Sequence, residues 1–145
     1  MREIKFRLWD LKNKYMFSND NEELLLNIDG SNLWGQNIHY YDGTDLLEID
    51  DFEIMQYTGL KDSNGVEIYE GDIVATKRTG LNDTHIYITE ARGEVMFGDC
   101  NFYILQTDDV IDPLENYSVG FENVLTEIIT IGNIYENPEL LEVEQ

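Results

Sequence analysis

The fold of this chain is set in the stretch Met55-Gln-Tyr-Thr-Gly-Leu-Lys-Asp-Ser-Asn-Gly-Val-Glu-Ile-Tyr-Glu-Gly-Asp-Ile-Val74, where two turn signals lie close together. The first is Asp62-Ser-Asn-Gly65, which is typical of a tight turn because its Asn-Gly pair tolerates positive φ. The second is Glu70-Gly71-Asp72, which precedes a strand start of β-branched and uncharged residues, Ile73-Val-Ala75. Thr58-Gly59 also predicts an end to the strand before the first turn. Two reversals in so short a segment indicate antiparallel strands.

An N-terminal β-hairpin is predicted upstream of this segment. Apolar and basic residues alternate from Ile4 to Leu8, and a period of two is typical of a half-buried strand. Asp10-Leu-Lys-Asn-Lys14 supplies turn-forming residues, and Tyr15-Met-Phe17 can return as the second strand, with Trp9 near the bend. Residues 46 to 55 fit either a strand with a bulge or a short helix, and the pattern leaves both open.

Downstream of the motif, further strand signals predict a small antiparallel barrel. Ile86 to Ile88 and Val95 to Phe97 indicate two strands joined by the glycine-containing turn Glu90-Ala-Arg-Gly93. Phe102 to Ile104 adds a strand, and Ile128 to Ile131 is the expected closing strand. This order of strands and tight turns is typical of an SH3-like barrel, and such a likeness of fold implies no function.

The length of the chain fits one compact domain. A chain of 145 residues can bury a sizeable core without help from a disulfide or a metal. We expect a single domain over residues 1–145 with three sub-modules: an N-terminal β extension (1–60), a small β-barrel (61–136) and a C-terminal tail (137–145). In the tail, Asn137 and Pro138 predict the N-cap and first residue of a short helical turn. The expected fold class is therefore mainly β, a β-rich α+β chain.

Cys100 is the only cysteine in the chain, so it cannot form an internal disulfide. Its position in an apolar run predicts a small core or strand residue in a reducing compartment. No apolar run approaches the roughly 20 residues that are needed to span a bilayer. We therefore expect a soluble cytoplasmic protein.

The charge of the chain is strongly acidic and unevenly distributed. Thirty Asp and Glu face nine Lys and Arg, for a formal net charge of -21. Five of the nine cations lie within residues 2 to 14, whereas residues 18 to 60 hold ten acids without a cation and residues 93 to 145 hold twelve. Direct binding to nucleic acid is disfavoured, because such proteins neutralise phosphates with clustered Lys and Arg. The acids predict either a solvated surface or a surface that docks a basic partner.

Three blocks of the sequence together resemble the YopX family of small phage and prophage proteins. They are the motif at residues 55 to 74, Met1-Arg-Glu-Ile-Lys-Phe-Arg-Leu-Trp-Asp10, and Ile131-Gly-Asn-Ile-Tyr-Glu-Asn-Pro-Glu-Leu-Leu141. The likeness is much weaker between the blocks. It implies a phage or prophage origin, a mostly β-strand fold, homo-oligomerisation and expression in a bacterial host. It brings no active site that could be carried over.

Motifs for catalysis, metal binding or nucleotide binding are missing from the sequence. His39 and His85 are the two side chains that titrate near neutrality, and no Ser or Cys lies in a nucleophile elbow. Asp62-Ser-Asn-Gly65 begins like a calcium loop, but its glycine comes fourth instead of sixth, and Ile73 takes the place of the bidentate Glu. We therefore expect no enzyme activity, no cofactor and no metal.

The aromatic and acidic residues suggest an interaction surface. Nine Tyr, six Phe and two Trp exceed what one small core easily hides, and Tyr and Trp often anchor interfaces. The predicted surface comprises Trp9, Tyr15, Tyr57, Tyr69, Asp108, Asp109 and Asp112. It fits a homo-oligomer, or a non-catalytic accessory factor that binds a basic host or phage protein. The alternative is a small-barrel module that binds nucleic acid through the N-terminal hairpin with Lys77, Arg78 and Arg92.

Overall fold

The computed structural model describes residues 3–18, 24–26, 33–36, 44–81, 84–117 and 124–142 of the chain. The described part is mostly antiparallel β-strand with a few short 3-10 helices, so the predicted mainly β fold class is confirmed. The chain divides into two compact units, Ile4–Gln56 and Tyr57–Gln145 together with Met1–Glu3. The single domain and its three sub-modules stay predictions.

The unit Ile4–Gln56 contains two small antiparallel sheets. Its described strands are β1 (Phe6–Asp10), β2 (Tyr15–Phe17), β3 (Leu24–Leu26), β4 (Leu33–Gln36), β5 (Thr44–Leu47) and the first half of β6 (Phe52–Lys61). β1 pairs with β2 on one side and with β6 on the other, whereas β3, β4 and β5 form the second sheet. Leu8, Phe17 and Phe52 pack together as a buried cluster.

The predicted N-terminal hairpin is confirmed in this unit. Asp10 is buried, and its Oδ1 accepts hydrogen bonds from the backbone N–H groups of Lys12 and Asn13, each at 2.9 Å. These bonds close the turn between β1 and β2. Trp9 is the next-to-last residue of β1, so its predicted place near the bend is confirmed, and its side chain is buried. The ambiguous residues 46 to 55 form the 3-10 helix Ile49–Asp51 and the start of β6.

The unit that starts at Tyr57 is built around a five-stranded half-barrel. Its described strands are the second half of β6, β7 (Glu67–Tyr69), β8 (Asp72–Leu81), β9 (Ile86–Gly98), β10 (Asn101–Gln106), β11 (Ile111–Pro113) and β12 (Val124–Asn133). The half-barrel runs in the order β11-β10-β9-β8-β12, with every neighbouring pair antiparallel. Its core cluster comprises Ile68, Val74, Val95, Ile104, Leu114 and Ile128.

Both turns predicted in the motif are present, and each is held by a buried aspartate. Asp62 Oδ1 accepts hydrogen bonds from the backbone N–H groups of Asn64 and Val66, each at 2.9 Å. In the second turn, the backbone N–H of Tyr69 donates to Asp72 Oδ2 at 2.8 Å. The predicted break at Thr58-Gly59 was wrong, because β6 runs through it with an irregular register that a φ of 87° at Gly59 accommodates.

The expected turn at Glu90-Ala-Arg-Gly93 was also wrong, because β9 continues through it without interruption. Gly93 serves close packing within the sheet instead of a turn. A Cβ at this position would lie 2.5 Å from both the Ile104 Cγ2 and the Leu105 carbonyl oxygen. A glycine inside a strand often marks such a close approach, and the sequence alone did not distinguish this from a turn.

Two smaller expectations need correction. Cys100 is exposed and lies in the two-residue turn between β9 and β10, where both Asp99 and Cys100 have positive φ, so its expected place in the core or in a strand was wrong. Pro138 does start a 3-10 helix, Pro138–Leu141, but the Asn137 side chain does not cap it. Instead, Asn137 Oδ1 accepts a hydrogen bond from the backbone N–H of Asn133 at 3.4 Å.

Candidate interaction surface

The hairpin between β10 and β11 carries two of the predicted acidic residues on a closed turn, residues 107–111, here named the acidic tip. The backbone N–H of Gln106 donates to the Val110 carbonyl at 2.8 Å, and that of Asp109 donates to the Gln106 carbonyl at 3.0 Å. Asp109 adopts a φ of 63°, which is uncommon for a residue with a Cβ. The backbone of the tip is therefore closed by its own hydrogen bonds.

The acidic tip combines charge with apolar surface. Asp108 and Asp109 are exposed, and within the ranges that the structure describes neither carboxylate has a cation at ion-pair distance. Val110 and Ile111, the next two residues, are also exposed. Paired carboxylates beside two apolar side chains can attract a cationic surface and then offer it a desolvated contact.

The third predicted acid, Asp112, has a different environment. It is buried, and Arg78 donates to both of its carboxylate oxygens, at 2.8 Å and 3.0 Å. The Tyr117 hydroxyl also donates to Asp112, and the Arg78 guanidinium lies 5.0 Å from the Tyr117 ring centroid. Burial first, and then the bond to Asp112, raises the pKa of the Tyr117 hydroxyl above its usual value. Asp112 therefore anchors the base of the acidic tip and is not part of its exposed surface.

The four predicted aromatic residues are not gathered into one surface. Trp9, Tyr57 and Tyr69 are buried. Tyr57 and Tyr69 pair across β6 and β7 with ring centroids 5.4 Å apart, so they contribute to packing. Tyr15 is partly exposed and meets the Phe17 ring edge-on at 4.7 Å. Of the seven predicted residues, Asp108, Asp109 and Tyr15 are thus the exposed ones.

A cavity of about 540 Å³ opens on the sheet formed by β8, β9 and β12. Its lining includes Lys77, Arg92, Glu90 and Glu127. Lys77 Nζ lies 3.7 Å from Glu90 Oε1, so one of the cations is already partly neutralised. Arg78 points to Asp112 instead. The cations proposed for a nucleic-acid groove are therefore mixed with carboxylates, and a polyanion gains little from such a surface.

The residues considered for catalysis or metal binding are dispersed. His85 is exposed, and its Nδ1 lies 2.6 Å from Thr84 Oγ1, whereas His39 lies outside the described residues. In the described ranges, no three His, Cys, Asp or Glu side chains come close enough together to hold a metal ion. No helix in the part of the chain described by the structure is long and apolar enough to cross a membrane.

Sequence reasoning missed the apolar half of the exposed surface. Val110 and Ile111 directly follow Asp108-Asp109, and this junction of acids and apolar residues was the available signal. It also missed that Ile86 and Ile88 are exposed, because alternation indicates a strand and does not show which strand face is covered.

Comparison with known proteins gives a family and a structural neighbour. A profile of the family described as YopX protein matches residues 5–142. The crystal structure of protein EF1440 from Enterococcus faecalis is similar to this chain, with a TM-score of 0.60 and 27% sequence identity over 98% of this chain and 100% of that one. No curated protein matches the chain.

Proposed function

The chain belongs to the YopX family, and we propose that it is a non-catalytic binding protein whose acidic tip docks a basic protein partner. In this proposal it is an accessory factor of a phage or prophage. It acts in the cytoplasm of a bacterial host, and its partner is a host or phage protein.

The acidic tip is the observation that carries the proposal. Exposed Asp108 and Asp109 attract Lys and Arg over several ångströms, while Val110 and Ile111 supply apolar contact area at the same turn. A turn already closed by hydrogen bonds loses little conformational freedom on binding, which favours affinity. The acidic excess of the whole chain adds attraction at longer range.

The blocks that resemble the family support a structural rather than a chemical role for the motif. Each block contributes a buried Asp or Asn side chain that accepts hydrogen bonds from nearby backbone N–H groups: Asp10, Asp62, Asp72 and Asn133. Buried turn residues of this kind fix chain reversals and are inaccessible to a substrate. Their role supports a non-catalytic protein.

Nucleic-acid binding has less support. Arg78 is held by buried Asp112, and Lys77 shares its surroundings with Glu90. Fluorescence anisotropy with single-stranded and double-stranded DNA at low salt checks this alternative. A saturable rise in anisotropy would favour nucleic acid over a basic protein as the partner.

The proposal is tested with the wild type, the variant Asp108→Asn/Asp109→Asn and the matched control Glu139→Gln/Glu142→Gln. The control removes the same charge from exposed positions outside the acidic tip. Each immobilised protein is exposed at low salt to nuclease-treated lysate of host or infected cells and eluted with a salt gradient. The eluted partner is identified by mass spectrometry, purified and titrated against all three proteins.

We expect a basic partner that binds the Asp108/Asp109 variant about tenfold more weakly, which is roughly 1.4 kcal/mol. The control is expected to change affinity by less than about twofold. Binding should fall as salt shortens the Debye length from about 10 Å at 0.1 M to about 3 Å at 1 M. A neutral partner that stays bound at high salt, or equal losses in the two variants, would overturn the proposal.

A further inference from the structure

The outer part of β9 has a strand edge to which no described strand is paired. β9 pairs with β8 along Ile86 to Glu94, but with β10 only along Gly93 to Gly98. The Thr107 backbone N–H donates to the Arg92 carbonyl at 3.0 Å on the β10 side. Because backbone groups alternate along a strand, the N–H and C=O groups of Glu90, Ile88 and Ile86 point to that same side.

This edge also exposes apolar side chains. Ile86 and Ile88 are 72% and 60% exposed, and Leu81, opposite Ile86 on β8, is 61% exposed. These three side chains share one face of the hairpin. Tyr87 lies on the other face, against Gly80, and is also exposed. A strand edge with exposed apolar side chains is a ready template for another strand, and proteins usually protect such edges with charges or proline.

The charge of this segment selects the kind of partner. Residues 73–92 contain three cations (Lys77, Arg78 and Arg92) and two acids (Asp83 and Glu90), a net charge of +1 in a chain of net charge -21. Two copies of the chain would repel each other across most of their surfaces, but not across this segment. A near-neutral apolar edge fits another near-neutral apolar edge, and the chain itself carries one.

We propose that the edge Ile86–Glu90 pairs antiparallel with the same edge of a second copy of this chain. Tyr87 lies opposite Tyr87 of the second copy, and Ile86 lies opposite Ile88 of the second copy. The outward backbone groups of Ile86 and Ile88 then make four hydrogen bonds across the two-fold axis. The pairing uses none of the acidic-tip residues, although Thr107 of the tip borders β9 at Arg92, so the dimer does not depend on the proposed basic partner.

The register follows from matching side chains. In this alignment the four isoleucines of the two edges pack on one face and the two tyrosines on the other. Two other registers are less favourable. A shift of one strand by two residues toward Glu90 places the Glu90 carboxylate opposite an isoleucine. A larger shift places Glu90 opposite Glu90 of the second copy. Like charges directly opposite each other destabilise a strand pair.

A disulfide trap tests both the pairing and the register. In a Cys100→Ser background, which removes the exposed native thiol, Tyr87→Cys places two cysteines at the two-fold axis. The Cα atoms of such a non-hydrogen-bonded pair lie about 4.5 Å apart, within the range that a disulfide bridges. Ile86→Cys is the matched control, because its two copies are offset along the strands to beyond about 7 Å.

Mild oxidation followed by non-reducing electrophoresis is expected to give at least roughly tenfold more covalent dimer from Tyr87→Cys than from Ile86→Cys. Sedimentation velocity should show a dimer for the wild type and for Asp108→Asn/Asp109→Asn. It should show a monomer for Ile88→Lys, whose charge enters the interface while its exposed position keeps the loss in thermal stability of the monomer small.

Three outcomes would overturn the inference. They are a monomeric wild type, equal cross-linking of the two cysteine variants, and a dimer that persists in Ile88→Lys. If the wild type is monomeric while Ile88→Lys loses the captured basic partner, the edge binds that partner and not a second copy. The acidic-tip proposal is judged separately by its own variants, so either idea can fail alone.

Discussion

The two ends of the β8–β9 hairpin have similar sequences and opposite surroundings. At the base, Ile73 and Val74 of β8 and Val95 of β9 are fully buried. At the far end, Leu81, Ile86 and Ile88 are mostly exposed. Ile73 and Ile88 even lie on the same face of the hairpin, because Ile73 pairs with Glu94 and Ile88 pairs with Thr79. The strand pairing is regular throughout, so the two ends differ in what covers the sheet.

This difference shows that strand formation and burial are separate consequences of the same residues. β-Branched side chains favour extended backbone at both ends, whereas core formation needs a second layer. At the base, Ile68 of β7 and Leu114 cover Val74 and Val95, which lie on the face opposite Ile73 and pack with Ile104 and Ile128 of the neighbouring strands. The far end keeps the strand pattern and leaves apolar area in contact with solvent, which is a usual property of interaction sites.

Replacing one isoleucine at each end should give the largest contrast. Ile73→Ala should lower the free energy of unfolding by about 3 kcal/mol, because it removes a fully buried side chain and leaves a cavity. Ile88→Ala should cost less than about 1 kcal/mol, mainly through lower strand propensity. Urea unfolding followed by circular dichroism measures both at a protein concentration low enough to keep the chain monomeric. Equal losses would show that the far end is covered within the monomer.

Much of the fold could be predicted from the sequence, because local turn chemistry is short-ranged. Asp62 and Asp72 mark their turns through bonds to backbone groups within four residues. The reason for a glycine at position 93 could not be predicted from the sequence, since the close contact that requires it is made by β10. For the candidate surface, the exposure of Asp108 and Asp109 could be predicted because acids beside a turn are usually exposed. The burial of Trp9, Tyr57 and Tyr69 depends on partners distant in sequence.

Polar groups offer a second contrast between the base and the outer part of the hairpin. Asp62 is buried beside the base, where its Oδ2 accepts a hydrogen bond from the Thr130 backbone N–H at 3.0 Å. In Asp62→Asn, one of the two accepting oxygens is replaced by an NH2 group. In one orientation this group faces the Thr130 N–H, and in the other it faces the N–H groups of the turn, so hydrogen bonds are lost in either case. We expect a loss of about 2 kcal/mol in the free energy of unfolding. Glu90→Gln removes an exposed ion pair with Lys77 and should lower the free energy of unfolding by less than about 0.5 kcal/mol.

The Asp62 contribution should depend on pH in a defined direction. Burial alone would raise the pKa of this carboxyl, but hydrogen bonds from the Thr130, Val66 and Asn64 backbone outweigh burial, and the pKa of Asp62 is lowered. The stabilisation is therefore complete above the unfolded-state pKa of about 3.9 and is lost as pH falls through the lower folded-state pKa. Urea unfolding at several pH values should show the difference between wild type and Asp62→Asn shrinking below about pH 4. A constant difference would contradict the assignment.

The smallest expected effect is a gain in stability at the exposed β9–β10 turn, which follows the base end of β9. Asp99 and Cys100 both have positive φ, at 48° and 65°, in a two-residue turn that usually carries Asn-Gly. Cys100→Gly should raise the free energy of unfolding by about 1 kcal/mol under reducing conditions, because it relieves left-handed strain. Cys100→Ala keeps a Cβ and should give no gain, so a gain in both variants would point to the thiol instead. If only glycine stabilises, the turn that follows the base end of β9 carries local strain, so full burial of Val95 in the strand does not require a relaxed turn after it.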